Sequence, residues 1–177
     1  MLARDGKTLL YRTGDLAGAP RQIFVTQLDG KEAPVRVSVQ GPIDFASRLS
    51  PDDKWVAFGS TGPSGVEVYV QPFPGPGARY RVSLDGGSEP LWSRDGRTLF
   101  YRSGPSLWAA TISTTPTFNV TGRRKLFDGN FLADGSHAGY DVMPDGKHFL
   151  MLQLVERQTQ TVMVYGWANE LRKRWRK

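Results

Sequence analysis

One short pattern recurs four times along the chain: Ala3-Arg4-Asp5-Gly6-Lys7, Ser50-Pro51-Asp52-Asp53-Lys54, Ser93-Arg94-Asp95-Gly96-Arg97 and Met143-Pro144-Asp145-Gly146-Lys147. The aspartates stand 47, 43 and 50 residues apart. A fixed period in this range is the signature of a repeat architecture, and it constrains the fold more than any property averaged over the chain. Turn geometry accounts for the residue types. Ser suits the first position of a type I turn, Pro presets φ at the second, and Gly at the fourth accepts the positive φ that sends the chain back as a hairpin. Asp53 takes the Gly place in the second copy, which Asp tolerates better than most residues.

The flanks repeat too. Leu2, Leu49, Trp92 and Val142 stand three residues before each aspartate, and Leu9–Tyr11, Val56–Phe58, Leu99–Tyr101 and Phe149–Met151 follow it. Apolar on consecutive positions, these second strands are expected to be buried on both faces, as when sheets stack face to face. A third strand is expected at 22–28, 66–71, 107–112 and 161–166, and a fourth at 35–39, 80–83 and 125–127. An innermost strand is expected at 43–50, 89–93 and 138–143. Such units cannot bury both faces alone, so they must stack, and the stable radial stacking is a β-propeller. The sequence therefore predicts an all-β chain: a β-propeller of about four four-stranded antiparallel blades near 1–40, 41–84, 85–130 and 131–168, the first and last incomplete. A short basic helix or tail is expected over 169–177. Four blades, the first and last incomplete, suit a piece of a larger propeller; a homodimer that completes the ring is the alternative.

With 177 residues, 39% of them apolar and 23% charged, the composition is that of one globular domain. No apolar run reaches the roughly 18 residues of a membrane-spanning helix, and residues 1–20 lack an apolar signal core. There are no cysteines, which excludes disulfides, thiolate metal sites and cysteine nucleophiles. The net charge of +6 resides largely in Arg172, Lys173, Arg174, Arg176 and Lys177; without those five residues the chain carries +1. A nucleic-acid-binding domain would carry its basic face on the folded body, so nucleic acid is not the expected partner.

The Pro-Asp-Gly repeats look like the TolB-like, WD-repeat-like propellers of bacteria. The chain more closely resembles the propellers that follow the kinase domain in bacterial transmembrane serine/threonine kinases. Three stretches carry the likeness: Val70-Gln71-Pro72-Phe73-Pro74-Gly75-Pro76-Gly77, Ser88-Glu89-Pro90-Leu91-Trp92-Ser93-Arg94-Asp95-Gly96-Arg97 and Trp167-Ala168-Asn169-Glu170-Leu171-Arg172-Lys173. No glycine-rich loop, His-Arg-Asp loop or Asp-Phe-Gly is present, so no catalytic kinase residue carries over. The resemblance implies a non-enzymatic module without a cofactor, the sensor or scaffold end of a membrane kinase or a TolB-like envelope component, lying outside the cytoplasm. An accessory propeller of a prolyl-oligopeptidase-type hydrolase is the alternative; a basic tail in place of a hydrolase domain favours the first reading.

The turn aspartates lack the clustered oxygen ligands of a calcium loop, so turn formation is their expected role and no metal site is expected. Asp134, Ser136 and His137 share a loop, but Gly135-Ser136-His137-Ala138-Gly139 has His where a nucleophile elbow has Ser, and catalysis is not expected. Loops leading into innermost strands hold Asp44, Ser88, Glu89 and His137, the candidates for a face that binds a protein or small ligand. Trp55, Trp92, Trp108 and Trp167 read as packing between strands. Trp167, Leu171 and Trp175 form one helical stripe, which favours docking of the tail on the last blade over contact with anionic lipid.

Overall fold

A computed structural model describes residues 1–14, 21–37, 44–62, 65–75, 77–133 and 137–153. The four repeated turns form one hydrogen-bonded knot. In each, the residue two before the aspartate accepts at its carbonyl from the N–H three residues on: Ala3 from Gly6, Ser50 from Asp53, Ser93 from Gly96 and Met143 from Gly146, at 2.9–3.1 Å. The same residue donates its N–H to the carbonyl five residues on. The closing residues Gly6, Asp53, Gly96 and Gly146 have φ of 67°, 54°, 70° and 65°. Asp5, Asp52, Asp95 and Asp145 each accept the N–H two residues ahead. In the second and third copies the serine closes the knot. Ser93 Oγ donates to Asp95 Oδ1 at 2.7 Å and accepts from Thr98 N–H at 2.9 Å, and Ser50 does the same for Asp52 and Trp55.

Each knot joins an inner strand to a second one, and the strands assemble in chain order into antiparallel sheets. The first sheet holds β1 (Thr8–Thr13), β2 (Gln22–Gln27) and β3 (Val35–Arg36). The second holds β4 (Asp44–Leu49), β5 (Trp55–Gly62), β6 (Gly65–Pro72) and β7 (Tyr80–Arg81). The third holds β8 (Ser88–Trp92), β9 (Thr98–Ser103), β10 (Ser106–Ser113) and β11 (Asn119–Asp128), and the last described pair is β12 (Tyr140–Val142) with β13 (Phe149–Met151). Leu2 bridges Leu9 on the first sheet. Strand β11 is much longer than the short segment expected at 125–127, because it follows β10 along its whole length through two register shifts that each absorb one residue. No helix occurs among the described residues. The third strand expected at 161–166 and the helix expected at 169–177 lie outside them.

Consecutive residues of the second strands face different neighbours. Val56 and Phe58 pack with Leu10, Ile23, Val25 and Val37 of the first sheet and the segment after it. Ala57, between them, joins Val68, Val70 and Val82 against Leu99, Tyr101, Ala110 and Ile112 of the third. Phe100, between Leu99 and Tyr101, turns instead to Tyr140 of the last pair. Period-2 alternation sends neighbours to opposite faces, so an unbroken apolar run has a buried place for every residue. Enclosing a side chain such as Phe58, 0% exposed, contributes about 2–3 kcal/mol relative to leaving it in water. β13 differs from expectation: Leu150 is 66% exposed, since the described core covers that strand on one side only.

The turn aspartates tie stability to pH. Hydrogen bonds from Thr8 and from the Lys7 N–H hold Asp5 low. Those from Ser93 and the Arg97 N–H do so for Asp95. At Asp52 partial burial pushes upward but is outweighed by Ser50 and the Lys54 N–H. The Lys147 N–H, then His148, bring Asp145 to about 2. A depressed folded pKa means that the unfolded chain binds more protons, so this stability is complete above the ordinary carboxylate range and is lost as pH falls through the folded values. Urea denaturation followed by tryptophan fluorescence should show stability falling between about pH 5 and pH 2. Asp95→Ala should cost about 1 kcal/mol at pH 7 and flatten that slope; an unchanged slope would remove the aspartate knot as its cause.

Candidate binding surface

Two ends of each sheet offer themselves as surfaces: the end where the inner strands begin, which carries the residues expected to bind, and the end where the turns lie. At the first end the structure encloses two of the four candidates. Asp44, the first residue of β4, is 0% exposed and accepts from Ser60 Oγ at 2.7 Å across the β4–β5 pair. Glu89, in β8, is also 0% exposed, and its Oε2 accepts from the Gly139 N–H at 2.9 Å. Tyr140 Oη donates to the Glu89 carbonyl at 2.9 Å. Ser88 is half-buried and His137 exposed. Glu89 thus reaches the segment that follows His137, through Gly139, and β4 packs beside β8. Asp134 and Ser136 fall outside the described residues.

Backbone geometry explains why this junction is tight. Ala46 and Glu89 have φ of 52° and 55°, each inside a register shift of its inner strand. A side chain rarely adopts this conformation, and the bulge it makes re-aims the strand. The two residues stand at the same place, six before the turn aspartates Asp52 and Asp95. Six before Asp145 stands Gly139, where a Cβ would come within 2.7 Å of the Leu132 carbonyl oxygen. Glycine is required there because two backbones meet.

More buried charge lies close by, and none of it was legible as a site. Arg102, 3% exposed, donates from Nη1 to the Leu132 carbonyl at 2.7 Å and ties β9 to the segment before β12. Glu67, in β6, pairs with Arg81 at 2.7 Å and accepts from Tyr69 Oη, while the Arg79 guanidinium lies 3.4 Å from the Tyr69 ring centre. Burial, then the Glu89 charge, raises the Tyr140 hydroxyl well above its ordinary value, so it remains a donor. Burial with the Glu67 bond raises Tyr69 as well. These groups hold strands and sheets together. Among the described residues no three His, Cys, Asp or Glu are grouped to hold a metal ion.

The turn end is open. Between the first three turns lies a groove of about 530 Å³ lined by Arg4, Trp55, Trp92, Arg94 and Arg97 among others. A second groove runs between the third and fourth turns, past Arg94 and Lys147. The basic tail Arg172, Lys173, Arg174, Arg176 and Lys177 lies outside the described residues.

No family model and no curated protein matches the chain. Solved structures do. TolB from Acinetobacter baumannii is 20% identical with a TM-score of 0.57, over 85% of this chain and 41% of that one. A protein assigned as TolB from Agrobacterium tumefaciens is 16% identical with a TM-score of 0.61, over 85% and 51%. A protein assigned as a 6-phosphogluconolactonase from Bacteroides uniformis is 15% identical with a TM-score of 0.50, over 85% and 45%. The chain thus spans about half the length of the structures it matches. At such identities the likeness concerns the fold, which is that of TolB-like propellers. Among the described residues no helix is long and apolar enough to cross a membrane.

If Glu89, Gly139 and Tyr140 join sheets, altering them should cost stability. Tyr140→Phe removes the hydroxyl from the Glu89 carbonyl and should cost about 1–2 kcal/mol. Gly139→Ala forces a backbone contact apart and should cost about 1–3 kcal/mol. Ser88→Ala should stay within about 0.5 kcal/mol. Urea midpoints check all three, and a neutral Tyr140→Phe would contradict the seam.

Proposed function

We propose that this chain is a non-enzymatic propeller module that works by presenting a surface to a protein partner or ligand. In this reading the sheets are blades of a ring, four in this stretch, and the module serves as the sensor or interaction part of a larger bacterial protein. A receptor-type serine/threonine kinase is the candidate, with the module outside the cytoplasm. The observation that carries the reading is what the buried polar groups do: Asp44, Glu67, Glu89 and Arg102 are engaged in strand-to-strand or sheet-to-sheet hydrogen bonds. Groups enclosed and bonded in this way serve the scaffold, which leaves the exposed surface as the working part. The likeness to TolB structures and the kinase-propeller motifs of the sequence support the wider assignment, as fold-level analogy does.

Two measurements test the proposal together. Light scattering on the purified chain should give a monomer at micromolar concentration, and 6-phosphogluconolactone should be hydrolysed no faster than in buffer. A stable dimer would replace the module by a self-completing ring. Lactone hydrolysis abolished by His137→Ala would replace it by an enzyme.

A further inference from the structure

The turns differ from one another at the position just before the aspartate, which reads Arg4, Pro51, Arg94 and Pro144. Neighbouring turns pack closely. The Arg4 N–H donates to Asp53 Oδ2 of the second turn at 2.5 Å, and a Cβ on Gly96 of the third would lie 3.5 Å from the Pro51 ring. The compact Pro51 therefore sits between two arginines on flanking turns, and the space that a long side chain would fill is the groove. Arg4, Arg94 and Arg97 line it, all exposed. Neither Arg4 nor Arg94 makes a side-chain hydrogen bond or ion pair among the described residues. Trp55 walls it, half-buried against Tyr80 and Phe118, while Trp92 belongs to the core beneath, 7% exposed, with its indole N–H donating to the Arg48 carbonyl at 3.2 Å.

From this groove we propose a binding site for an acidic, extended segment of a protein partner, with carboxylates on the arginines and an apolar side chain against the exposed part of Trp55. The inference rests on the module reading above and names the class of partner. Three features favour a peptide over a small anion. The cations do not converge on one point, since the whole second turn separates Arg4 from Arg94. Asp52 and Asp95 also line the groove, each with Oδ1 committed to its turn. Acids and arginines therefore share the groove, which disfavours a continuous anion such as a nucleic-acid backbone and suits carboxylates spaced along a peptide whose backbone N–H groups can meet the aspartates. The exposed part of the Trp55 ring packs an apolar side chain and leaves little for an inorganic ion to gain. Exposed guanidiniums paired one to one contribute little each, but several along one groove add up and set the register of the segment.

The test uses the full chain and a short fluorescein-labelled peptide in which glutamate alternates with leucine, followed by anisotropy at physiological salt. Binding should be saturable. Arg4→Ala with Arg94→Ala should weaken it about tenfold, while the urea midpoint stays unchanged because the Arg4 backbone, not its side chain, joins the turns. Arg4→Lys with Arg94→Lys should restore part of the affinity, and a peptide with lysine for glutamate should not bind. Alanine at Arg172, Lys173, Arg174, Arg176 and Lys177 controls for the tail. Affinity lost with the tail charges but kept in the double arginine variant would overturn the assignment. So would displacement by millimolar inorganic phosphate, or equal binding of a single-stranded oligonucleotide. Absence of peptide binding by a monomeric, lactonase-inactive chain would overturn this site and leave the module reading standing.

Discussion

The structure depends on a burial problem that no single repeat can solve. Strands β5 and β9 carry apolar side chains on consecutive positions, so each has two faces to hide. Phe58 points to the first sheet while Ala57 points to the third; Leu99 points to the second while Phe100 points to the last pair. A lone four-stranded sheet would leave one set in water, at about 2 kcal/mol for each large side chain. Stacking removes that cost for every internal sheet. This is why the repeat period, and not any single motif, decides the fold.

Stacked sheets must also satisfy the polar groups trapped between them. The chain does this with a few side chains that reach from one sheet to the next: Gln71 to the Val37 carbonyl, Arg123 to the Val82 carbonyl, Trp92 to the Arg48 carbonyl and Glu89 to the Gly139 N–H. A buried donor or acceptor left unpaired costs about 1–3 kcal/mol, so such seams fix how the sheets meet more sharply than apolar contact does. Buried charge here belongs to the scaffold. Side chains of Arg4 and Arg94, without partners among the described residues, and part of Trp55 stay in water where the turns lie.

Much of the fold is legible in the sequence. The Asp-Gly turns fix where strands reverse, and the apolar runs behind them place the starts of the second strands to within one residue. The long β11 is not legible, because the polar run Thr121-Gly122-Arg123-Arg124-Lys125 resembles a loop until β10 is set beside it. Nor are the bulges: nothing in Phe45-Ala46-Ser47 or Ser88-Glu89-Pro90 announces a positive φ, which is imposed by the sheets on either side. Asp44 and Glu89 read as surface loop residues because acids in short connections usually are; burial with hydrogen-bond partners from other strands is a tertiary fact. The groove has a sequence signal of another kind. Aligning repeats draws attention to what they share, while Arg4 and Arg94 against Pro51 and Pro144 are informative because the copies differ there.

Native-state hydrogen exchange tests the stacking most directly. If the sheets share their cores as described, the amides of β5 and β9 should exchange last, with one opening free energy and one urea dependence, since neither sheet can be exposed without losing the other's cover. Separate openings for the two strands, each with the small urea dependence of a sheet coming apart alone, would contradict the account.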